Sequence, residues 1–190
     1  VRADAQDNYE RVLRVAADTF AREGTGASLK AIAREAGVGI GTVYRRFPTR
    51  EALVEAVYRQ EVDQLCAAAT DLARSQPGAQ GLRSWMELFV DFMATKRGLG
   101  ETLRSVLTSE DERQQTRDQL RTAIATLLAA QPDRGGDRIR PHVDPNDVLM
   151  ALGGITLIAA EEQRRALASR LIDLLLTGVV DAEDAGPGSS

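Results

Sequence analysis

Apolar residues in this chain recur at three- and four-residue intervals from one end to the other, with no run of strict alternation. Tyr9, Val12, Leu13, Ala16 and Phe20 make one stripe, and Tyr58, Val62, Leu65, Ala69 and Leu72 a second. Leu167, Leu171, Leu174, Leu175 and Val179 make the last. That spacing lines one face of an α-helix, whereas a half-buried strand needs a period of two. With hairpin signals also missing, the pattern predicts an all-α protein of about nine helices and no internal repeat. Gly24 and Gly26 end the first helix. Ser28 is placed to cap a short second one, Gly37 breaks it, Pro48-Thr49 stops the third, and Thr49 is placed to cap a fourth running from Arg50 to about Ala73. A loop is expected over Ser75–Gly81. The next helix, carrying Leu82, Val90 and their neighbours, is expected to be interrupted near Gly98 and Gly100, with a short helix holding Leu103, Val106 and Leu107 behind it. Further helices are expected over about 110–130, 145–161 (with Pro145 at its first position) and 163–180. The polar tail 181–190 (DAEDAGPGSS) is expected to be disordered.

Composition narrows the function classes. A single cysteine, Cys66, rules out an internal disulfide, and a single histidine, His142, leaves little for a metal site. Cys66 reads as a small core residue and His142 as a loop residue. Neither a Gly-x-Ser-x-Gly elbow nor Cys/His ligand spacing is present, so no catalytic residue, cofactor or metal is assigned and an enzyme is not expected. No apolar run approaches the roughly 20 residues that span a bilayer, and the opening VRADAQDNYE lacks a basic-then-apolar leader. A cytoplasmic protein without membrane contact is the expectation.

The formal charge of −4 conceals a focus. Between residues 28 and 50 stand Lys30, Arg34, Arg45, Arg46 and Arg50 against Glu35 alone, a local excess of four positive charges. A concentrated basic segment is the footprint that a phosphate backbone selects. The same segment contains GVGIGTVYRRF (37–47), where three glycines precede a short helical stripe. Short helix, Gly-containing turn, short helix is the arrangement of a helix-turn-helix. Gly37 makes the turn tight. Val38, Val43 and Phe47 are placed to pack inward, leaving Thr42, Arg45 and Arg46 outward. Gly39 and Gly41 allow the helix tip to approach a groove or phosphate.

The run SLKAIAREAGVGIGTVYRRFPTREALVEAV (28–57) resembles the DNA-binding region of TetR-type transcriptional regulators, and Val12–Ala17 with Phe20–Gly24 fits that family's first helix. The resemblance covers about residues 9–58. It implies an N-terminal three-helix DNA-binding domain over 1–50, with the helix-turn-helix at about 28–47. Behind it would lie a C-terminal helical domain over 51–180 for effector binding and dimerisation. It implies that Ser28 and Lys30 hold phosphates, that Thr42, Tyr44 and Arg45 lie on the recognition helix with the Tyr44 hydroxyl on the backbone, and that Arg50 grips phosphate. Arg45 is the best candidate to read guanine O6/N7. Packing is the alternative role for Tyr44, and solvation for Arg46. Many members carry Ser-Lys where this chain has Gly39-Ile40. That departure removes a hydroxyl and a charge from the helix tip and leaves Ile40 to contact a thymine methyl.

In the C-terminal part, ATKRGL (94–99) and LGGI (152–155) look like one group of these regulators. Trp85, Met86, Phe89 and Met93 are candidates to line an apolar effector pocket with Leu103, Leu107 and Leu127, and Asp91, Thr95 and Lys96 are candidate polar anchors; plain core is the alternative. The last two helices carry more apolar surface than one partner can cover, so Leu152, Ile155, Leu167, Leu171, Leu174 and Leu175 are assigned to a homodimer interface. The reading is a DNA-binding regulator: a ligand-responsive homodimeric repressor of a palindromic operator, with a small apolar effector. A helical interaction protein that has lost DNA binding is the alternative.

Overall fold

The computed structural model describes residues 2–132, 137–158 and 164–180. Among them are eight α-helices and no strand beyond one isolated bridge. The helices are α1 (Arg2–Glu23), α2 (Leu29–Glu35), α3 (Ile40–Arg46), α4 (Arg50–Ser75), α5 (Ala79–Val106), α6 (Glu110–Ala129), α7 (Pro145–Ile158) and α8 (Arg164–Val179). They fall into two compact units. One holds Val1–Leu65 with Asp91–Gln119; the other holds Cys66–Val90 with the described residues from Leu120 onward. α4 starts at the expected boundary near residue 50, and its first half lies in the first unit with the N-terminal helices.

The first unit is built on the α1 stripe. Leu13, Ala16 and Phe20 are buried, as are Ile32 and Ala33 of α2, Val43 of α3, Phe47 behind it, and Leu53, Val54 and Val57 of α4. Two features stitch α1 to the helix-turn-helix. The Arg11 guanidinium donates to the Ala36 carbonyl at 2.7 Å, capping the end of α2, and Tyr9 stacks on Phe47 with ring centroids 5.5 Å apart. The end of α5 belongs to this unit, where Gly98 lies flat against α1. A Cβ at that position would stand 1.9 Å from the Phe20 carbonyl oxygen. Gly98 is therefore a packing glycine inside a helix, not the interruption expected of it. The interruption is at Gly100 alone (φ 52°, ψ −133°).

In the second unit Leu82, Trp85, Met86 and Phe89 of α5 are buried with Leu120, Ile124 and Leu127 of α6, Val148 and Leu152 of α7, and Ile172 and Leu176 of α8. Arg83 bridges Glu87 (2.6 Å) and Asp173 (2.9 Å). An antiparallel bridge between Ile139 and Val180 ties the long loop to the end of α8. The loop between α4 and α5 is shorter than expected, since Ala79, Gln80 and Gly81 are helical. Cys66 is half-buried, and His142 is an exposed loop residue with φ 71°. The tail 181–190, expected to be disordered, and residues 159–163 between the last helices lie outside the described residues.

Candidate nucleic-acid interface

The helix-turn-helix is held by backbone chemistry. At the end of α2, Gly37 takes φ 66°. Its amide donates to the Arg34 carbonyl (3.1 Å), and the Val38 amide donates to the Ala33 carbonyl (3.0 Å). That pair of bonds is the Schellman closure of a helix C-terminus. It requires the left-handed conformation that costs an L-residue with a Cβ about 1–2 kcal/mol, which accounts for Gly37. Gly39 has φ −67° and ψ 141°, open to any residue, and an added Cβ at Gly41 would meet nothing within 4 Å. Those two glycines are not required by the turn; they leave the start of α3 bare.

α3 buries Val43 and, just beyond its end, Phe47, while Val38 ahead of it is half-buried. The spacing of Ile40, Val43, Tyr44 and Phe47 suggests one buried face, but only two of the four are inside. Ile40 is 38% exposed and Tyr44 49% exposed, so an apolar and an aromatic side chain one turn apart stand outward beside Arg45. Packing is thus not the role of Tyr44. Thr42 is half-buried, and Gly39, Arg45, Ser28 and Lys30 are exposed. Ser28 occupies the N-cap of α2 but its hydroxyl makes no capping bond; the α4 cap expected at Thr49 does form, its Oγ1 accepting from the Ala52 amide at 3.1 Å.

The five cations differ in their commitments. The Arg46 guanidinium lies 5.6 Å from the centre of the Tyr9 ring. Arg50 donates to the Ala27 carbonyl at 2.6 Å and sits 5.2 Å over the Phe20 ring. It anchors the start of α4 to α1, a role the sequence reading did not assign. Among the described residues, Lys30, Arg34 and Arg45 make no ion pair or ring contact, so this face carries cations that no carboxylate among those residues neutralises. The sign of the face, the outward side chains and the exposed α3 define a helix-turn-helix DNA-binding protein.

Comparison with known proteins agrees. Residues 12–57 match the model of the TetR family of bacterial regulatory proteins, and residues 76–180 match that of the SbtR-like transcriptional regulator C-terminal domain. The TetR regulator SCO0520 of Streptomyces coelicolor is 41% identical, covering 91% of this chain and 98% of its own with a TM-score of 0.81. A TetR regulatory protein of Mycobacterium vanbaalenii is 33% identical, covering 95% and 99%, with a TM-score of 0.74. The regulator UidR of Escherichia coli is 31% identical over 94 residues, 49% of this chain and 42% of UidR, so the match spans less than half of that curated relative. The chain belongs to the TetR family of transcriptional regulators. It is a DNA-binding regulator of transcription with the helix-turn-helix in its N-terminal part.

The residues assigned to an effector pocket do not gather in one unit. Trp85, Met86, Phe89 and Leu127 are buried in the second unit; Met93, Leu103 and Leu107 belong to the first. A cavity of about 660 Å³ in the second unit has walls from Arg83, Arg140, Asp173, Leu176 and Thr177, and none of the seven lines it. Of the residues assigned to the dimer interface, Leu174 is 68% exposed, while Ile155, Leu167, Leu171 and Leu175 are half-buried. Leu152 is fully buried within its own chain, so it supports that face from beneath and cannot touch a partner. Sequence reasoning missed Met150 (68% exposed) and Leu157 (81%) on the same face of α7; their spacing of seven was available to find them. Among the described residues no helix is long and apolar enough to cross a membrane, and no cluster is placed to hold a metal ion.

Proposed function

We propose that the protein is a homodimeric repressor that binds a palindromic operator and releases it when a small molecule binds. The observation that carries the DNA half is the outer side of α3. Ile40, Tyr44 and Arg45 are all exposed on α3 and Arg45 has no ion-pair partner among the described residues, which supports a guanidinium and an apolar contact reaching base edges together. In this reading Ser28 and Lys30 hold phosphates, Thr42 and Tyr44 contact the backbone, and Arg45 reads guanine. Ile40 meets a thymine methyl, and Gly39 lets the helix tip come close. In this reading Arg50 adds a phosphate contact to its structural bond to the Ala27 carbonyl.

Dimerisation is supported by the apolar face on α7 and α8, where Met150, Leu157 and Leu174 are largely exposed. An added Cβ at Gly153, Gly154 or Gly178 would meet nothing within 4 Å, which leaves room for partner helices to approach closely. Large exposed apolar side chains on adjacent helices mark an interface, and a two-fold dimer is what a palindromic operator demands. Ligand response requires that the effector bind the releasing conformation more tightly than the DNA-bound one.

The test is a mobility-shift titration of the purified protein against DNA upstream of its own gene, at stated salt. A salt-sensitive shift, from a species that light scattering sizes as a dimer, is expected. Absence of any shift at low salt would leave a helical interaction protein as the better reading.

A further inference from the structure

The chain uses arginine as its cation almost throughout; Lys30 and Lys96 are its only two lysines. Lys30 is exposed on the DNA-facing segment, but Lys96 is half-buried on α5. Its ammonium stands 5.8 Å from the centre of the Tyr58 ring. Tyr58 is itself buried and packs on Phe92 with centroids 6.0 Å apart, and its hydroxyl is hydrogen-bonded to Thr116. All four residues lie in the first unit.

Buried charges are normally paired, and among the described residues no carboxylate pairs with Lys96. Burial first, and then the Arg117 guanidinium, hold its pKa below the usual lysine value. Arg117 is taken up by Glu110 at 3.0 Å. Of the carboxylates near these residues in sequence, Glu55 and Glu112 pair with Arg59 (2.8 and 3.5 Å) and Glu101 pairs with Arg104 (3.9 Å), and among the described residues neither Glu61 of α4 nor Asp91 of α5 forms an ion pair with Lys96. Glu61 is itself pushed up by burial and by the charges of Asp18 and Asp91, so cation and carboxylates lie in separate neighbourhoods. What remains is an under-neutralised ammonium over an aromatic floor, beside the Tyr58 hydroxyl, which can turn to donate; the Thr116 hydroxyl is spent on the Glu112 carbonyl at 3.2 Å.

We propose that Lys96, with Tyr58 beside it, is the anion-binding end of an effector site, and that the effector is an apolar molecule bearing a carboxylate. The proposal rests on the ligand-responsive reading above and narrows its effector class from merely apolar to apolar and acidic. Arginine would offer a larger, planar group at this point; the compact ammonium on a slender stem suits a site that is half closed. Two residues further along α5, Gly98 meets the backbone of α1, so an anion drawing on Lys96 acts on the segment that touches the DNA-reading unit's first helix.

The test is thermal unfolding of the whole protein with matched probes: the straight-chain carboxylates from acetate to decanoate, benzoate and phenylacetate, each beside its primary amide. Stabilisation by one or more of the longer or aromatic carboxylates, at least about ten-fold weaker for the amide, is expected. Lys96→Met should lose that binding by a similar factor while remaining folded, and Lys96→Arg should retain part of it. Protection of Lys96 from acylation by the same carboxylates, read by mass spectrometry with exposed Lys30 as the internal control, should follow the same order. No stabilisation by any carboxylate, equal effects of acid and amide, or undiminished binding to a folded Lys96→Met variant would each overturn the site. Mobility shifts with the same probes separate the two claims. Carboxylate binding at Lys96 that leaves DNA binding untouched refutes ligand response and keeps the site. Release of DNA by neutral molecules, equal in wild type and Lys96→Met, does the reverse.

Discussion

Gly98→Ala sets two physical effects against each other with opposite signs. Position 98 has helical geometry inside α5, and on propensity alone replacing Gly by Ala in a helix interior stabilises by about 1 kcal/mol. Packing says otherwise. The added Cβ would stand 1.9 Å from the Phe20 carbonyl oxygen, 2.5 Å from its carbonyl carbon and 3.0 Å from the Ala21 nitrogen. Ordinary contact begins near 3.4 Å, so α1 and α5 must part by about 1.5 Å at this point. All three obstructing atoms are backbone within α1, so no side chain can turn aside. Overpacking typically costs about 1–3 kcal/mol and more when the obstacle is rigid. With the cost at the upper end of that range, a net loss of about 2 kcal/mol is expected, which for a chain of this size lowers Tm by about 4–8 °C. Urea unfolding followed by far-UV circular dichroism, at fixed protein concentration because a dimer's stability depends on it, measures the difference. Gly41→Ala is the control: it is helical with open space, and a gain of up to about 1 kcal/mol is expected there. If Gly98→Ala is as stable as wild type or more so, the close approach of α1 and α5 is not a feature of the folded protein.

Three other perturbations separate the parts of the molecule. Arg45→Ala is expected to cost about 1–3 kcal/mol of operator affinity and to relax preference at one base pair, and Ile40→Ala to relax it at a neighbouring thymine; equal losses on specific and random DNA would assign both residues to phosphate instead. Leu157→Glu, on the exposed face of α7, is expected to give monomers by light scattering and to abolish operator binding while Arg45→Ala stays dimeric; a dimeric Leu157→Glu protein places the interface elsewhere. Burial, then Asp18 and Asp91, hold the Glu61 carboxyl above its ordinary 4.5. Its folded pKa being raised, its contribution to stability is full below 4.5 and is lost as pH rises through the folded value. Glu61→Gln should therefore match wild type in acid and exceed it at neutral pH, and denaturation series at pH 4 and pH 7 that show the same difference would contradict this.

The helical skeleton was legible because period, caps and breakers act locally. Thr49 caps α4, Gly37 closes α2 and Pro145 opens α7 where the sequence places them. What was not legible depends on partners distant in sequence. Gly98 and Gly100 look alike as helix breakers, yet one is helical and pressed on Phe20 while the other is the true kink. Arg50 reads as a free phosphate ligand until Ala27 and Phe20 are found beneath it. The stripe Ile40, Val43, Tyr44, Phe47 has one helical period, but period alone cannot say which half of a wide stripe faces the core. In a helix of seven residues crossing the unit's surface, only Val43 and Phe47 reach it.

The last of these points bears on how such a face can select its DNA. With Gly39 at the tip of α3 in place of a hydroxyl and Ile40 in place of a cation, the recognition helix begins without charge, and its positive groups come at its end, Arg45 and Arg46. Arg46 is partly held by Tyr9, so Arg45 is the one guanidinium on α3 that meets only solvent among the described residues. Affinity from phosphate neutralisation scales with the number of contacts, at about −0.9 in log–log salt slope for each. A face with few free cations on its reading helix must draw a larger share of its discrimination from direct contact, and Ile40 and Tyr44, exposed one turn apart, are the groups in position to supply it. A shallow salt slope together with strong discrimination between operator and random DNA is the combination this arrangement requires. A steep slope with weak discrimination would mean that the cations around α2 and the start of α4 govern binding and that α3 only positions the protein.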